Sequence, residues 1–575
     1  MAPRKVIAAR LASRVRALNL QAHIEIIGPL SIESFAPRAQ ALKRTRRRWL
    51  LVQSDHSGCR IGPWFRARGT PCWQCLFQWL ALRPVPPVEP KGEIIPAILE
   101  QIQSAVHNPR QFHHRLCHID TQGAISWHPV RSRPQCPNCG DPARVLPEGF
   151  PRITPQPGTP SVDPSVFISQ QTSVVSFLRD YPAKNFYAAE ARFVAPYDPR
   201  VPEPRRFTEG LAFGGGATLE EARLSATAEA LERYCTVAQG TEPRVTASYE
   251  QLGDQAIWPP RLFQFSDRQY AQRDRWHRGR WRFPFIPIRY ESNYRIDWAV
   301  GWSLTAQCPR LLPLSYCYFA STPEGQPLFA AADSIGCAAG PSLEQAILRA
   351  LLECIERDAI AVWWANRIAR PSIPAHEYES DPAVQGALTA LEALNRRLTV
   401  LDLSTDLGVT VLGAVSWNAK RRRPELGFGA DPSPRHALRK AIRELAQTAI
   451  GNAAPVTIQP PRGSMEWVFL QWRRSATPET EPHLLPHGSR PLNQTENPGT
   501  LPALLRTFHS RNFEVIAVDL TRPEIGLPVV RVVCPDLRHP AMRLAEGRLY
   551  KLPVDLGWQR RQLLEEEINP VPYPL

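Results

Sequence analysis

The chain has 575 residues, 43% of them hydrophobic and 16 of them tryptophan, enough for two or three domains with large cores, which excludes a disordered or fibrous protein. No run of about 18 uncharged apolar residues occurs, and Met1 to Leu20 is arginine-rich without an apolar core, so neither a membrane span nor a secretory signal is expected. The formal charge of +15, concentrated in part at Lys43-Arg44-Thr45-Arg46-Arg47-Arg48, admits an acidic peptide or nucleic acid as partner but describes a solvated basic face equally well.

A cytoplasmic setting is the expectation, and there the 12 cysteines are thiols or metal ligands rather than disulfides. Cys72-Trp73-Gln74-Cys75 and Cys136-Pro137-Asn138-Cys139-Gly140 form two CxxC pairs with 60 residues between them. Four thiolates in this pattern predict a closed, structural zinc site with no open position for chemistry. A redox dithiol fits less well, because there are two pairs and neither visibly heads a βαβ unit. Residues 1–150 thus read as one zinc-stapled domain. Residues 151–164, rich in proline, read as a linker, and residues 165–575 as a second, larger domain.

The second domain repeats itself. Residues 216–233 and 340–357 share Gly216/Gly340, Leu219/Leu343, Glu220/Glu344, Ala222/Ala346, Glu229/Glu353, Glu232/Glu356 and Arg233/Arg357 at one offset of 124. Each copy opens on a small-residue loop followed by Thr218 or Ser342, with Glu221 or Gln345 three positions on, the pattern of a capping box at a helix start. At about 100° per residue, Ser225, Glu229 and Glu232 fall within roughly 60° of one another. Leu224, Ala228, Leu231 and Cys235 form the expected apolar stripe beside them; Leu348, Leu351, Leu352 and Ile355 do the same for Glu353 and Glu356. The i,i+4 pairs Glu229–Arg233 and Glu353–Arg357 fit ordinary solvated helices, but Glu232 and Glu356 lack such partners and the duplication needs another reason. Converging carboxylates call for a hard divalent cation, and Mg²⁺ shared with phosphate oxygens fits them.

A third helix is predicted from Ser433 and Pro434, with Leu438, Ala441, Ile442 and Leu445 as its apolar face and Glu444 and Gln447 at i and i+3. Strand-like runs separate the helices, at Leu398-Thr399-Val400-Leu401, Val409-Thr410-Val411-Leu412 and Pro528 to Val533. The fold class expected is α+β with a pseudo-symmetric core. The chain ends Pro570-Val571-Pro572-Tyr573-Pro574-Leu575, whose alternating prolines impose an extended, stiff tail.

Ser225-x-x-x-Glu229-x-x-Glu232-Arg233 with Glu353-x-x-Glu356-Arg357 resembles the nucleotide-binding signature of YcaO proteins. Val400 to Gly408, Ala437 to Gln447, Val530 to Pro535 and the proline tail extend the resemblance over roughly residues 160–575. Residues 1–150 resemble a shortened ubiquitin-activating-like domain fused ahead of YcaO in azoline-forming cyclodehydratases, but without a GxGxxG phosphate loop.

The resemblance implies an ATP-dependent enzyme of thiazole/oxazole-modified peptide biosynthesis, cyclising Cys, Ser or Thr of a precursor peptide to azolines. It implies ATP and Mg²⁺ held by Ser225, Glu229, Glu232, Glu353, Glu356, Arg357, Glu444 and Gln447, with the carboxylates of the two repeated helices on the metal and Arg357 on phosphate. It implies a structural zinc on Cys72, Cys75, Cys136 and Cys139, and a catalytic tail ending at Pro574 and Leu575. A separate leader-binding protein, a flavin dehydrogenase and a homodimer are the partners it suggests. Thioamide or amidine formation, or an inert scaffold, are the alternatives; the proline tail speaks against the first. Gly215, Pro341 and Ala449 depart from the family pattern, which commonly has lysine, asparagine and arginine there. A nucleic-acid-binding zinc module ranks last, since no surface of interleaved arginine and aromatics is evident.

Overall fold

The computed structural model describes residues 11–573 except 19, 29–31, 46, 56–57, 67–70, 83–93, 134–135, 141–152, 154–161, 199, 279–284, 331, 421, 454–459, 461, 463 and 494–498. Most of the 151–164 segment and both Pro574 and Leu575 therefore lie outside the described residues.

The amino-terminal half is a five-stranded sheet in the order of the chain: β1 (His23–Ile27), β2 (Trp49–Asp55), β3 (Gly58–Phe65), β4 (Arg115–Asp120) and β5 (Ile125–Pro129). The β1–β2 pair is parallel and the rest antiparallel. Helix α1 (Trp73–Ala81) begins between the first two of the paired cysteines, and α2 (Ile95–His107) packs Ile98, Ile102 and Ala105 on the sheet.

The larger half stacks helices and sheets in alternation. It opens with an antiparallel three-stranded sheet, β6 (Val175–Ala183), β7 (Phe186–Val194) and β8 (Glu209–Gly216), followed by α3 (Leu219–Thr236). Strands β9 (Arg244–Ala247), β10 (Ile296–Ser303), β11 (Cys308–Pro313) and β12 (Cys337–Ala339) enter a six-stranded sheet, and α4 (Leu343–Asn366) follows β12. An antiparallel sheet of β13 (Ser372–Ile373), β14 (Arg396–Asp402), β15 (Thr410–Asn418) and β16 (Glu425–Asp431) comes next and leads into α5 (Pro434–Ala453). Strands β17 (Ile516–Asp519) and β18 (Val529–Val533) return to complete the six-stranded sheet, in the order β11-β10-β17-β18-β12 with β9 also on β10.

Strand periodicity explains the layering. Side chains alternate between faces, so a strand apolar at every position must be covered on both. In β18, Val529 and Val533 join the core built around α3, whereas Val530 and Val532 join the core built around α4. In β15, Val411 and Val415 face the α4 core and Leu412 and Ala414 face the α5 core. Helix α4 is thus enclosed between two sheets and buries residues around its whole circumference.

The strands expected at 398–401, 409–412 and 528–533 fall in β14, β15 and β18, the last two starting one residue later than expected. Of the apolar stripe expected on α3, Leu231 and Cys235 are buried, but Ala228 is only half-buried and Leu224 is 46% exposed; the helix buries Ala222, Ala226, Ala230 and Tyr234 in their place. Small residues win that face because α3 lies directly on backbone. A Cβ on Gly214 of β8 would stand 2.3 Å from the Ala226 nitrogen, a clash that only glycine avoids.

The two halves meet behind α3. Trp79 of α1 stacks on Tyr234 with centroids 6.1 Å apart, and the Tyr234 hydroxyl donates to Glu524 at 2.9 Å. Arg60 Nε donates to Gln171 Oε1 at 2.7 Å across the same junction.

Candidate functional site

Three strand–helix units, not two, build the site: β8–α3, β12–α4 and β16–α5. In each, a helix starts two or three residues after its strand, at Thr218, Ser342 or Ser433. The Thr218 hydroxyl accepts from the Glu221 N–H and the Ser342 hydroxyl from the Gln345 N–H, both at 3.2 Å. Eleven residues after each of these starts stands a glutamate that turns back on the segment leading into its own helix. Glu229 accepts from Phe213 N–H, Glu353 from Gly336 N–H and Glu444 from Phe428 N–H, each at 3.1 Å. Fourteen residues after each start come Glu232, Glu356 and Gln447. The third unit keeps this polar geometry while its other residues diverge. Its glycines also serve close packing: a Cβ on Gly427 would lie 2.2 Å from the Leu445 nitrogen.

Cross-contacts tie the units together. Glu232 of α3 accepts from the Ala339 N–H of β12 at 3.1 Å. Arg233 pairs with Glu229 at 3.1 Å and Glu232 at 3.3 Å, and Arg357 with Glu353 and Glu356, both at 3.6 Å. Five carboxylates therefore surround two guanidiniums, an excess of negative charge in a buried place. Burial pushes Glu232 up to about 8, with Arg233 opposing and Glu229 and Glu353 adding to the rise. Burial, reinforced by Glu356, likewise pushes Glu444 up to about 8 against the pull of Arg357. Glu353 is raised by burial too.

Donors are left over as well. Arg233 Nη1 and Arg357 Nε and Nη1 are buried and make no hydrogen bond. Surplus carboxylate charge beside unsatisfied guanidinium N–H groups is a donor set suited to a divalent cation and an anionic ligand together, so the residues present fit Mg²⁺ and a nucleotide phosphate.

Of the expected nucleotide residues, the structure brings together Glu229, Glu232, Glu353, Glu356, Arg357 and Glu444. Ser225 lies exposed one turn before Glu229, above Gly214. Gln447 stands beside Gly215, where a Cβ would approach its Oε1 to 2.9 Å; the family's lysine position is thus closely faced by this glutamine. Arg443 of α5 reaches Glu221 of α3 at 3.9 Å.

The carboxyl-terminal tail runs into the same place. Asn569 N–H donates to Ala365 O at 2.8 Å and Trp364 Nε1 to Val571 O at 2.9 Å. Tyr573 is 3% exposed, its ring 5.5 Å from that of Trp364 and 5.9 Å from that of Phe428. Burial raises its phenol, while Arg357 close by opposes the rise.

Sequence reasoning did not assign Arg233 a place in the site, although its pairing with Arg357 in the repeat was the available signal. It also missed Asp333, His539, Arg531 and Arg543, whose network holds the loop that supplies Gly336 N–H. Asp333 accepts from His539 Nε2 at 2.6 Å, Arg531 at 3.2 Å and Arg543 at 3.3 Å. Burial works against its charge, yet these partners hold Asp333 below the usual carboxylate range. Burial lowers His539 to about 4, so its imidazole is neutral.

In the amino-terminal half, the Sγ atoms of Cys72, Cys75, Cys136 and Cys139 lie within 4.8 Å of one another, with Cys72–Cys136 at 3.5 Å and Cys75–Cys139 at 3.4 Å. Sulfurs tetrahedral about zinc stand about 3.8 Å apart, so this donor set fits the ion. The cluster ties the start of α1 to the 136–139 turn.

A family profile described as YcaO cyclodehydratase, ATP- and Mg²⁺-binding, matches residues 213–538. An uncharacterized protein of Methanothermobacter thermautotrophicus is 28% identical over 335 residues, which is 56% of this chain and 80% of that one. Two solved structures are similar over 100% of this chain at 27% identity. One, a heterocyclase in complex with substrate and cofactor, has a TM-score of 0.84 with 84% of its chain covered; the other, the heterocyclase TruD, has a TM-score of 0.73 with 83% covered.

Proposed function

The chain belongs to the YcaO family of ATP-dependent cyclodehydratases, and we propose that it cyclises Cys, Ser or Thr residues of a ribosomally made precursor peptide to thiazolines or oxazolines. The observation that carries this reading is the convergence of Glu229, Glu232, Glu353, Glu356 and Glu444 on two buried, incompletely bonded arginines. Such a centre is charged to take up Mg²⁺ and phosphate and has donors to spare for a developing oxyanion.

When bound, Mg-ATP supplies the γ-phosphoryl group that converts an amide oxygen into a leaving phosphate. The carboxylates of α3 and α4 would hold the metal, with Glu444 of α5 completing the acidic wall, and Ser225 and Gln447 would give neutral hydrogen bonds to the nucleotide. The substrate's thiol or hydroxyl bonds to the preceding carbonyl carbon as its proton passes to solvent and the carbonyl π pair moves onto oxygen. Arg357 and Arg233 donate to the former carbonyl oxygen as charge builds on it; loss of that oxygen and of the amide nitrogen's proton, which passes to solvent, leaves C=N. Tyr573 fixes the approach of the tail, and we assign Pro574 and Leu575, beyond the described residues, to organising the reacting amide.

The same reading divides the chain into a zinc-stapled domain at 1–150 that binds no nucleotide, a linker at 151–164 and the catalytic domain at 165–575. It includes a separate leader-binding protein, a flavin dehydrogenase acting afterwards and a homodimer. Among the described residues, no helix is long and apolar enough to cross a membrane.

The test is mass spectrometry of a short Cys-, Ser- and Thr-rich peptide encoded beside this chain, incubated with the protein, the leader-binding partner and Mg-ATP. The expected result is loss of the mass of one water per modified residue, abolished by Glu232→Ala. A peptide that binds but keeps its mass would replace this reading with a scaffold. Sulfide-dependent exchange of oxygen for sulfur would replace it with thioamide formation.

A further inference from the structure

Beside the acidic cluster lies a cavity of about 400 Å³ whose lining combines two groups of side chains. One group is Arg233, Glu353, Arg357 and Tyr573, held together by the Glu353–Arg357 ion pair and the closeness of Arg233 to Glu353 and of Arg357 to Tyr573; the other is Phe263, Phe265, Tyr316, Phe319 and Phe329. We infer that the aromatic section binds the side chain of the peptide residue whose carbonyl is attacked, and that it selects large apolar residues at that position. The inference rests on the peptide-cyclising reading above and adds a sequence preference to it.

Three observations carry it. The first is which groups face the cavity. Of the clustered carboxylates only Glu353 lines it; Glu229, Glu232, Glu356 and Glu444 do not, nor do Ser225 and Gln447. Of the expected nucleotide residues only Glu353 and Arg357 line the cavity, so its aromatic section is open to the other reactant. Arg233 and Arg357, with N–H groups not yet hydrogen-bonded, are common to both sides. A carbonyl oxygen held by them leaves the side chain of that same residue, whose Cβ is two bonds from the carbonyl carbon, inside the same cavity as the aromatic rings.

The second observation is that the polar groups along the aromatic section are already occupied. Asp333 is taken by His539, Arg531, Arg543 and the Ile335 N–H. Both ring nitrogens of His539 are engaged as well, one on Asp333 and the other accepting from the Ala541 N–H at 3.1 Å. Arg531 lies over the Tyr316 ring and Arg543 over the Phe265 ring, at 5.2 and 5.9 Å. A cationic side chain entering here finds its one carboxylate, Asp333, already shared by two arginines, and loses its hydration.

The third is the wall itself. Phe263 stands 5.9 Å from Tyr316 and 6.5 Å from Phe329, centroid to centroid, and Phe263 and Phe329 are each 2% exposed. These rings are fixed by packing before any ligand arrives, so an apolar side chain gains burial without having to order its site.

The test is isothermal titration of the full chain, with Mg²⁺ and a non-hydrolysable ATP analogue present, against N-acetyl-Xaa-cysteine amides in which Xaa is Phe, Leu, Gly or Lys. Burial of one large apolar side chain predicts that the Phe and Leu peptides bind about 10-fold or more tightly than the Gly and Lys peptides. Ala332→Phe and Ala541→Phe, each adding a ring from the cavity wall, are expected to erase that preference and leave the Gly peptide's affinity little changed. Retained affinity for the ATP analogue reports that a variant is folded, and either variant suffices. Equal affinity for all four peptides, no binding of any at millimolar concentration, or a Phe preference that survives in a folded variant overturns the inference. Because these titrations read binding alone, they fail independently of the mass-loss assay that tests the reaction.

Discussion

The four cysteines of the amino-terminal half and the five glutamates of the catalytic half both gather anionic donors for a cation, but they are left in opposite states. The cysteine cluster is closed: four sulfurs at mutual distances suited to one tetrahedral ion leave no position for another ligand. The glutamate cluster is open. Each outer glutamate spends one oxygen on a backbone N–H, more charge remains than two arginines neutralise, and guanidinium N–H groups stay unbonded. The first arrangement stabilises a fold, whereas the second stores an unfavourable energy that ligand binding releases.

The strongest way to break this contrast is to remove an unsatisfied donor from the open cluster. Arg357→Met is expected to lower kcat about 100- to 1,000-fold, measured as peptide-dependent ADP release, with the melting temperature little changed or raised. A fall of only a few-fold would place the guanidinium outside the reacting centre. Cys136→Ser, on the closed cluster, should do the reverse. Bound zinc, measured by elemental analysis, is lost and the amino-terminal half is destabilised by about 2–5 kcal/mol, taking a lost cross-link as the scale, while Mg-nucleotide affinity stays within about threefold.

A pH titration sharpens the comparison. Glu232 and Glu444 stand at about 8 in the folded protein against an ordinary 4.5. The folded state therefore holds protons that the unfolded chain releases first. The stabilisation this brings is complete below about pH 4.5 and is lost as pH rises through about 8, on the order of a few kcal/mol per group. The melting temperature without ligand should fall between about pH 5.5 and 8.5, and Mg²⁺ with nucleotide should reverse that fall. A flat profile would mean that the carboxylates are already compensated. The smallest effect is expected at Leu224, exposed on α3: Leu224→Ser should change stability by no more than about 0.5 kcal/mol in chemical denaturation, where a core leucine would cost several-fold more.

Much of the site was legible because its signals are local. A capping hydroxyl, a turn-by-turn apolar face and an acid every third or fourth residue are set by helical geometry over a dozen residues, so α3, α4 and α5 were readable together with Glu229, Glu232, Glu353, Glu356 and Glu444. Leu224 was misplaced on the buried face for a related reason. The helix face that packs on glycine-bearing β8 prefers alanine to leucine, and hydrophobicity alone does not carry that preference. The third unit's equivalence stayed hidden because only its polar spacing repeats, while its packing residues answer to a different sheet.

By itself, then, the sequence determined the duplicated acidic helices, the paired cysteines and the α+β class, since each follows from spacing along one stretch of chain. Only the tertiary structure decided which groups meet. Asp333 and His539 are 206 residues apart, and Tyr573 reaches Trp364 and Phe428 from the end of the chain. The aromatic cavity likewise combines side chains from 263–329 with others near 540. Such meetings depend on how helices and sheets stack to bury both faces of β15 and β18. That choice is made by the free energy of the whole core, not by any one segment.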